Sequence, residues 1–392
     1  MKVILIFFFF SFLYLQAQTV SLGDFLESVK SSEGAKALET QSVSKISTAK
    51  NEVLSGGFIL NAQTGYASTR YDNRNAHESH VTVEKNILLG DSDAYLKALN
   101  LSLTEVNALE LNRLKALIFE HYINACSYKE KISLLMDAKE RESELASLIK
   151  EGVEGGEFDQ SSLLQSELAV EELQLSIDAL ESNYNDVLSG LYAYTQNNSG
   201  EPLCKDLPYE IAIEEDIQEH STLFTQMQSE ITAAAALNKF RSGSVQDITL
   251  GAGYDNEMDV TRSIVFLRIP LSSGDSLDNE RESARLEQIN ARQQLLFMQR
   301  KTQMQIQAYK TAQKMRNATL ERLNNVLILK AYQTTVLLKE QFMGSEGSYL
   351  EYIDSEKTLF NLLIRSVDTV TESLLAKAKL YYMLGIDPQK DF

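Results

Sequence analysis

The stretch FILNAQTGYASTRY, residues 58 to 71, decides how this chain is read. It alternates, so that Phe58, Leu60, Ala62, Thr64 and Tyr66 fall on one side of an extended strand and Asn61, Gln63, Gly65 and Thr69 on the other. DITLGAGY, residues 247 to 254, repeats the pattern, with Ile248, Leu250, Ala252 and Tyr254 opposite Asp247, Thr249, Gly251 and Gly253. Each stretch runs into a short polar loop (Asp72 to Ala76, Asp255 to Asp259) and then a second alternating segment. The first partner sets Val81, Val83, Ile87 and Leu89 against His80, Thr82, Glu84 and Asn86. In the second, Val265, Leu267, Ile269 and Leu271 face away from Arg262, Ile264, Phe266 and Arg268. Lys85 breaks one apolar face, and Ile264 with Phe266 softens one polar face. The expectation is two β-hairpins, 57–89 and 246–271, with strands of about 10 to 14 residues, enough to cross a bilayer when tilted. Four strands cannot close a channel, since the smallest outer-membrane barrels use eight. Three copies would supply twelve and leave no edge open.

Helices surround the hairpins. The sequence predicts them over Leu22–Val53, Asp93–Lys150, Ser161–Tyr194, Ile213–Phe240, Asp278–Gln341 and Tyr349–Leu384. Asp93–Lys150 contains neither proline nor glycine and would be on the order of 90 Å long. Its apolar residues Leu111, Leu114, Leu117, Ile118, Ile132, Leu135, Ala138, Leu145 and Leu148 trace a narrow seam, suited to antiparallel coiled-coil pairing. Gly152, Gly155 and Gly156 interrupt one helical pair, and Gly344 and Gly347 the other. Glycine at such breaks supplies the φ > 0 conformations a tight reversal needs.

The chain is written twice. Thr64-Gly65-Tyr66 returns as Ala252-Gly253-Tyr254 at an offset of 188, and Leu163-Leu164-Gln165-Ser166-Glu167 as Tyr352-Ile353-Asp354-Ser355-Glu356 at 189. Two landmarks so far apart keep nearly one spacing, as an internal duplication would. The organisation expected is a signal peptide over 1–17 and a first repeat over 18–200, with its helical tip near 152–160. A linker over 201–212, a second repeat over 213–385 with its tip near 344–348, and a tail over 386–392 complete it.

Met1 and Lys2 precede an apolar run from Val3 that carries on through Leu15, with Ala17 at the expected cleavage point. That order reads as an export signal, too short for a stable spanning helix. The chain carries 37 Lys and Arg against 55 Asp and Glu, a net charge of -18, which argues against nucleic acid as a partner. Four prolines in 392 residues suit long helices. Cys126 and Cys204 are no disulfide scaffold, though one bridge fits an oxidising compartment. The four histidines, His77, His80, His121 and His220, make no metal-ligand set, and no phosphate loop, zinc-protease motif or nucleophile elbow occurs. The expectation is a protein without enzymatic activity, cofactor or metal.

In these features the chain resembles the TolC-like outer membrane efflux protein family, across essentially the whole mature sequence. The resemblance is carried by Gly65-Tyr66 and Gly253-Tyr254, by Ile269-Pro270-Leu271 at the exit of the second hairpin, by the Gly-break before Leu163, and by the closing Tyr382-Met383-Leu384-Gly385-Ile386. It implies a fold mixing α-structure with a membrane β-barrel: a homotrimer whose twelve-stranded barrel continues into an α-helical barrel reaching into the periplasm. It also implies outer-membrane lipid around the barrel, and a periplasmic adaptor (membrane fusion) protein and an inner-membrane transporter of the RND type as partners. Efflux of small molecules or metal ions is the implied role. Type I protein secretion and a non-channel periplasmic coiled-coil role are the alternatives. By position in the family, Glu351 and Asp354 would line the periplasmic aperture, with neutral Ser162 and Gln165 as their counterparts in the first repeat.

Overall fold

The structure is a computed structural model that describes residues 19–53, 57–68, 75–89, 91–195, 200–206, 221–241, 247–257, 260–269, 275–344 and 347–391. The expected signal peptide, Pro270 and half of the expected linker, 207–212, lie outside these residues. Chain contacts divide the protein into two compact units, one of residues 36–110 and 218–305, the other of 1–35, 111–217 and 306–392.

Strand β1 is Thr19–Val20, and helices α1 (Leu22–Ser28) and α2 (Glu33–Val53) follow. The sequence predicts one helix here, but a 3₁₀ turn at Val29–Ser31 breaks it, and Ser32, in extended backbone, accepts from the Ala35 N–H at 3.3 Å. Serine caps helices better than it fills them. The hairpin strands are β2 (Phe58–Ser68) and β3 (Asn75–Leu88). They are followed by α3 (Ser92–Gly155), α4 (Gln160–Tyr194), β4 (Glu201–Pro202) and α5 (Thr222–Arg241). The second hairpin is β5 (Asp247–Glu257) and β6 (Val260–Arg268), and then come α6 (Asp275–Arg322), α7 (Ile328–Met343) and α8 (Tyr349–Leu384). Between α6 and α7 a π turn, Leu323–Leu327, interrupts what the sequence predicts as one continuous helix.

The two hairpins form one antiparallel sheet of order β2-β3-β5-β6, so β2 and β6 are its free edges. Register aligns the apolar positions into rows: Leu60, Val83, Ala252 and Val265 stand side by side, as do Phe58, Lys85, Leu250 and Leu267. No described residue covers them, and Val265 is 86 % exposed, Leu60 66 % and Phe58 72 %. Lys85 interrupts one row, but its Nζ sits 5.1 Å from the centre of the Phe58 ring, where the stem stays apolar and the charge finds a π face. The opposite face carries Asn61, Gln63, His80, Thr82 and Glu84. His80 pairs with Asp255, and Arg268 reaches Glu84 at 3.6 Å. Phe266, an apolar residue on this polar face, lies over Gly251, where an added Cβ would come within 2.2 Å of its ring. An aromatic ring over a cross-strand glycine restores the packing the glycine lacks. The sheet unit also contains Leu109, Leu223 and Met227, buried against Phe224, Leu295 and Met298.

The other unit has its own core. β1 pairs in parallel with β4, and Phe25 meets Tyr122 edge to face at 5.9 Å. The Tyr122 hydroxyl donates to the Leu203 carbonyl at 2.6 Å. Cys126 and Cys204 are joined in a disulfide, with Cα atoms 5.2 Å apart, so β4 is tied to the middle of α3. Residues 386–391 pack against this unit. Ile386 is buried, Gly385 caps α8 at φ 65°, and Asp387 pairs at 2.6 Å with the enclosed ammonium of Lys115. The left-handed cap turns the chain back toward α3, whose Asn112 donates to the Gly385 carbonyl at 2.8 Å.

Candidate aperture and helical-hairpin tips

Two helical reversals lie in this second unit. At the first, α3 runs through Gly152, which the sequence predicts as part of the break, and stops at Gly155. Gly156 takes φ 80°, and the N–H groups of Glu157 and Phe158 both reach the Gly152 carbonyl, at 2.8 and 3.3 Å. Asp159 starts α4 by accepting from the Ser162 N–H at 2.7 Å and from the Ser161 hydroxyl at 2.9 Å. Those donors hold its carboxyl below the usual carboxylate range. Gly152 contributes differently, by leaving room: Phe158 folds back over it, and a Cβ there would lie 2.2 Å from the ring.

At the second reversal the expected role of glycine holds only in part. Gly344 ends α7 at φ -80°, a conformation open to any residue, with its N–H returned to the Glu340 carbonyl at 2.9 Å. Gly347 is the crowded position, since a Cβ there would meet the Gln341 Cβ at 3.1 Å and the Phe342 nitrogen at 3.2 Å. Ser348 then caps α8, accepting from the Leu350 N–H at 3.2 Å.

An aromatic run that the periodicity of the sequence does not reveal joins the two tips. Phe158 stacks on Phe342 at 5.0 Å, Phe342 lies 5.5 Å from Tyr349, and Tyr349 lies 6.3 Å from Tyr352. Leu145 and Ile149 of α3 close the cluster from one side, with Leu163 and Leu338 packed on it. The available signal was Phe158 just after one glycine break and Phe342 just before the other. The expected seam residue Leu148 is exposed, and Ile149 takes its place in the core.

Glu351 and Asp354 lie in the first two turns of α8 and are both exposed. Tyr349, Tyr352 and Glu356 of the same turns are buried. One face of α8 is thus held against the aromatic cluster while another turns two carboxylates outward. Ser162 and Gln165, the neutral counterparts, occupy the start of α4, where Ser162 is engaged through its N–H by Asp159. In the sheet, Gly65 pairs with Glu78, Tyr66 with His77, Gly253 with Thr82 and Ile264, and Tyr254 with Val81 and Ser263. Tyr66 and Tyr254 are exposed, 82 % and 50 %, while the Thr82 methyl fills the space a Gly253 Cβ would need.

Among the described residues no group of three or more potential ligands could hold a metal ion, and no helix is long and apolar enough to cross a membrane. Neither family sequence models nor the sequences of curated proteins match the chain. Its structure does match. The chain superposes on CusC, described for conformational changes on folding and transmembrane channel formation, with a TM-score of 0.76 at 11 % identity over 93 % of this chain and 92 % of that one. It is similar to the outer membrane protein VceC of Vibrio cholerae, with a TM-score of 0.70 at 15 % identity over 93 % and 96 %. It is also similar to the Campylobacter jejuni CmeC outer membrane channel, with a TM-score of 0.73 at 12 % identity over 93 % and 84 %. The protein has the fold of the TolC-like outer-membrane channels.

Proposed function

We propose that the chain is one protomer of a homotrimeric outer-membrane channel that conducts small molecules or metal ions outward from a periplasmic pump complex. The observation that carries this is the sheet: among the described residues, four strands with an uncovered apolar face and two unpaired edges, β2 and β6. A sheet so exposed in water is an aggregation template. Pairing β6 of one copy with β2 of the next, three times, closes twelve strands with the Leu60 and Phe58 rows toward lipid and the Glu84, His80 and Arg262 face toward the lumen. The chain then extends from the outer membrane into the periplasm, and a periplasmic adaptor and an inner-membrane transporter of the RND type supply energy and selection.

Glu351 and Asp354 form the periplasmic aperture in this reading. Three-fold symmetry turns each into a ring of like charges, which attracts cations and repels anions. Conductance in planar bilayers tests it. The double replacement Glu351→Ala and Asp354→Ala should lower cation preference and change single-channel conductance, and unchanged values would remove both residues from the aperture. Fractionation addresses the wider claim, which requires the protein in the outer membrane as a trimer. A water-soluble monomer would favour the coiled-coil role, and loss of a secreted polypeptide in a deletion strain would favour protein export.

A further inference from the structure

The buried positions of α3 near its tip run Leu135, Ala138, Glu142, Leu145, Ile149, spacings of three and four with a glutamate in the middle of an apolar seam. The facing seam of α8 runs Tyr349, Tyr352, Glu356, Leu359 and has the same flaw. The two flaws meet. Glu142 is fully enclosed and Glu356 is 5 % exposed, and Glu356 is one of the groups that push the Glu142 carboxyl up. The Tyr349 hydroxyl donates to Oε1 of Glu142, and Tyr352 is buried on the same face of α8 as Glu356. Oε2 of Glu142 is left with no donor. An ionised carboxylate is an acceptor only, and one buried with an oxygen that no donor reaches is satisfied only if Glu142 carries a proton.

We infer that a proton held on buried Glu142 latches α8 to α3 at the helical tips, and that losing this proton as the pH rises frees the α8 tip. The inference deepens the proposed aperture, because Glu351 and Asp354 ride on the turns that the latch holds. Its chemistry is independent of whether the channel conducts.

Charges around the pair do not remove the need for the proton. From α3, Arg141 reaches Glu356 Oε1 only at 3.7 Å. From α7, Lys339 acts on Glu142 at a distance, as the weakest influence on it. From α4, apolar Leu163 packs on the cluster, and Glu172 beside Glu356 is paired with Lys357 at 2.9 Å. Burial first, and Glu356 in addition, pushes the Glu142 carboxyl up from 4.5 to about 7, against the lowering hydrogen bond from Tyr349. A carboxyl raised in the folded state contributes stability that is fully present below its unfolded value and is lost as pH climbs through the folded one. The window for release therefore runs from about pH 4.5 to about pH 7, tight on the acidic side. The histidines described, His77 and His80 in β3 and His121 against Tyr194, lie outside the cluster.

Amide hydrogen exchange of the full-length protein in detergent, corrected for intrinsic rates, reads the latch. Residues 349–360 should lose protection about ten-fold or more between pH 5 and pH 8. Glu142→Gln, which keeps the shape and supplies a permanent donor, should hold the pH 5 protection at pH 8 to within about two-fold. Glu356→Gln should do the same, and it carries the test if the first variant folds poorly. A flat profile in the parent protein, or the same loss in both glutamine variants, overturns the inference. A preparation that never conducts would sink the aperture and leave the exchange result standing.

Discussion

Gly152 and Gly155 stand three residues apart in one helical end, yet substitution should affect them oppositely. Alanine at Gly152 drives a methyl into the Phe158 ring and must displace it from Phe342, so Gly152→Ala should destabilise by about 1 kcal/mol. At Gly155 a Cβ meets open space, and alanine should be neutral or gain a few tenths of a kcal/mol. Denaturant midpoints of the two variants compare them directly. Tyr349 is a second residue whose worth lies in one atom. Tyr349→Phe keeps the ring in the aromatic run but strips the donor from buried Glu142, at a cost of about 1–3 kcal/mol. Glu142 itself gives stability a sign in pH. Its rise from 4.5 to about 7 removes on the order of 3 kcal/mol of stability as pH goes from below 4.5 to above 7, and a melting series on Glu142→Gln should lack that slope.

Among the elements, β4 depends most on a single bond. It has two residues, one parallel partner strand and the Cys126–Cys204 disulfide, which closes a loop of 78 residues. Chain-entropy arguments put such a closure at about 4 kcal/mol. The double replacement of both cysteines by serine should lower the melting temperature and expose β1 and β4 to protease first. The 3₁₀ segment Pro388–Asp391 depends on charge instead. Asp387→Ala leaves the Lys115 ammonium, 3 % exposed, without its carboxylate, and should cost about 3–5 kcal/mol. Adding Lys115→Met should recover most of the loss, and a double-mutant cycle would show it. These elements illustrate where pattern reading stops. α8 begins and ends where the periodicity places it, whereas the Leu22–Val53 helix is broken, because local capping by Ser32 outweighs apolar spacing there.

For the whole molecule, the exposed rows of the sheet set the prediction. Val265→Arg places a charge in a row that would face lipid in the proposed trimer and should cost about 2–4 kcal/mol, lowering the yield of membrane-inserted trimer. Gln63→Arg on the opposite face should leave assembly intact and shift ion preference. Recovery of Val265→Arg as normal trimer would contradict the closed barrel.

Composition and period were enough to determine the classes of structure here. Alternation at Phe58–Tyr66 and its repeat specified strands, and long runs without proline specified helices, because both signals are local and repeat many times. Even the two-fold repetition needed only offsets along the chain. What no local pattern could settle was which distant residues meet. The Cys126–Cys204 bridge, the Lys115–Asp387 pair and the stack from Phe158 to Tyr352 each join segments far apart in sequence. The glutamates at 142 and 356 read as two more carboxylates in a chain with 55 acidic residues, and only folding places them in facing seams. Burial is the physical reason: a carboxyl's chemistry changes when its water is taken away, and that depends on the neighbours the fold supplies.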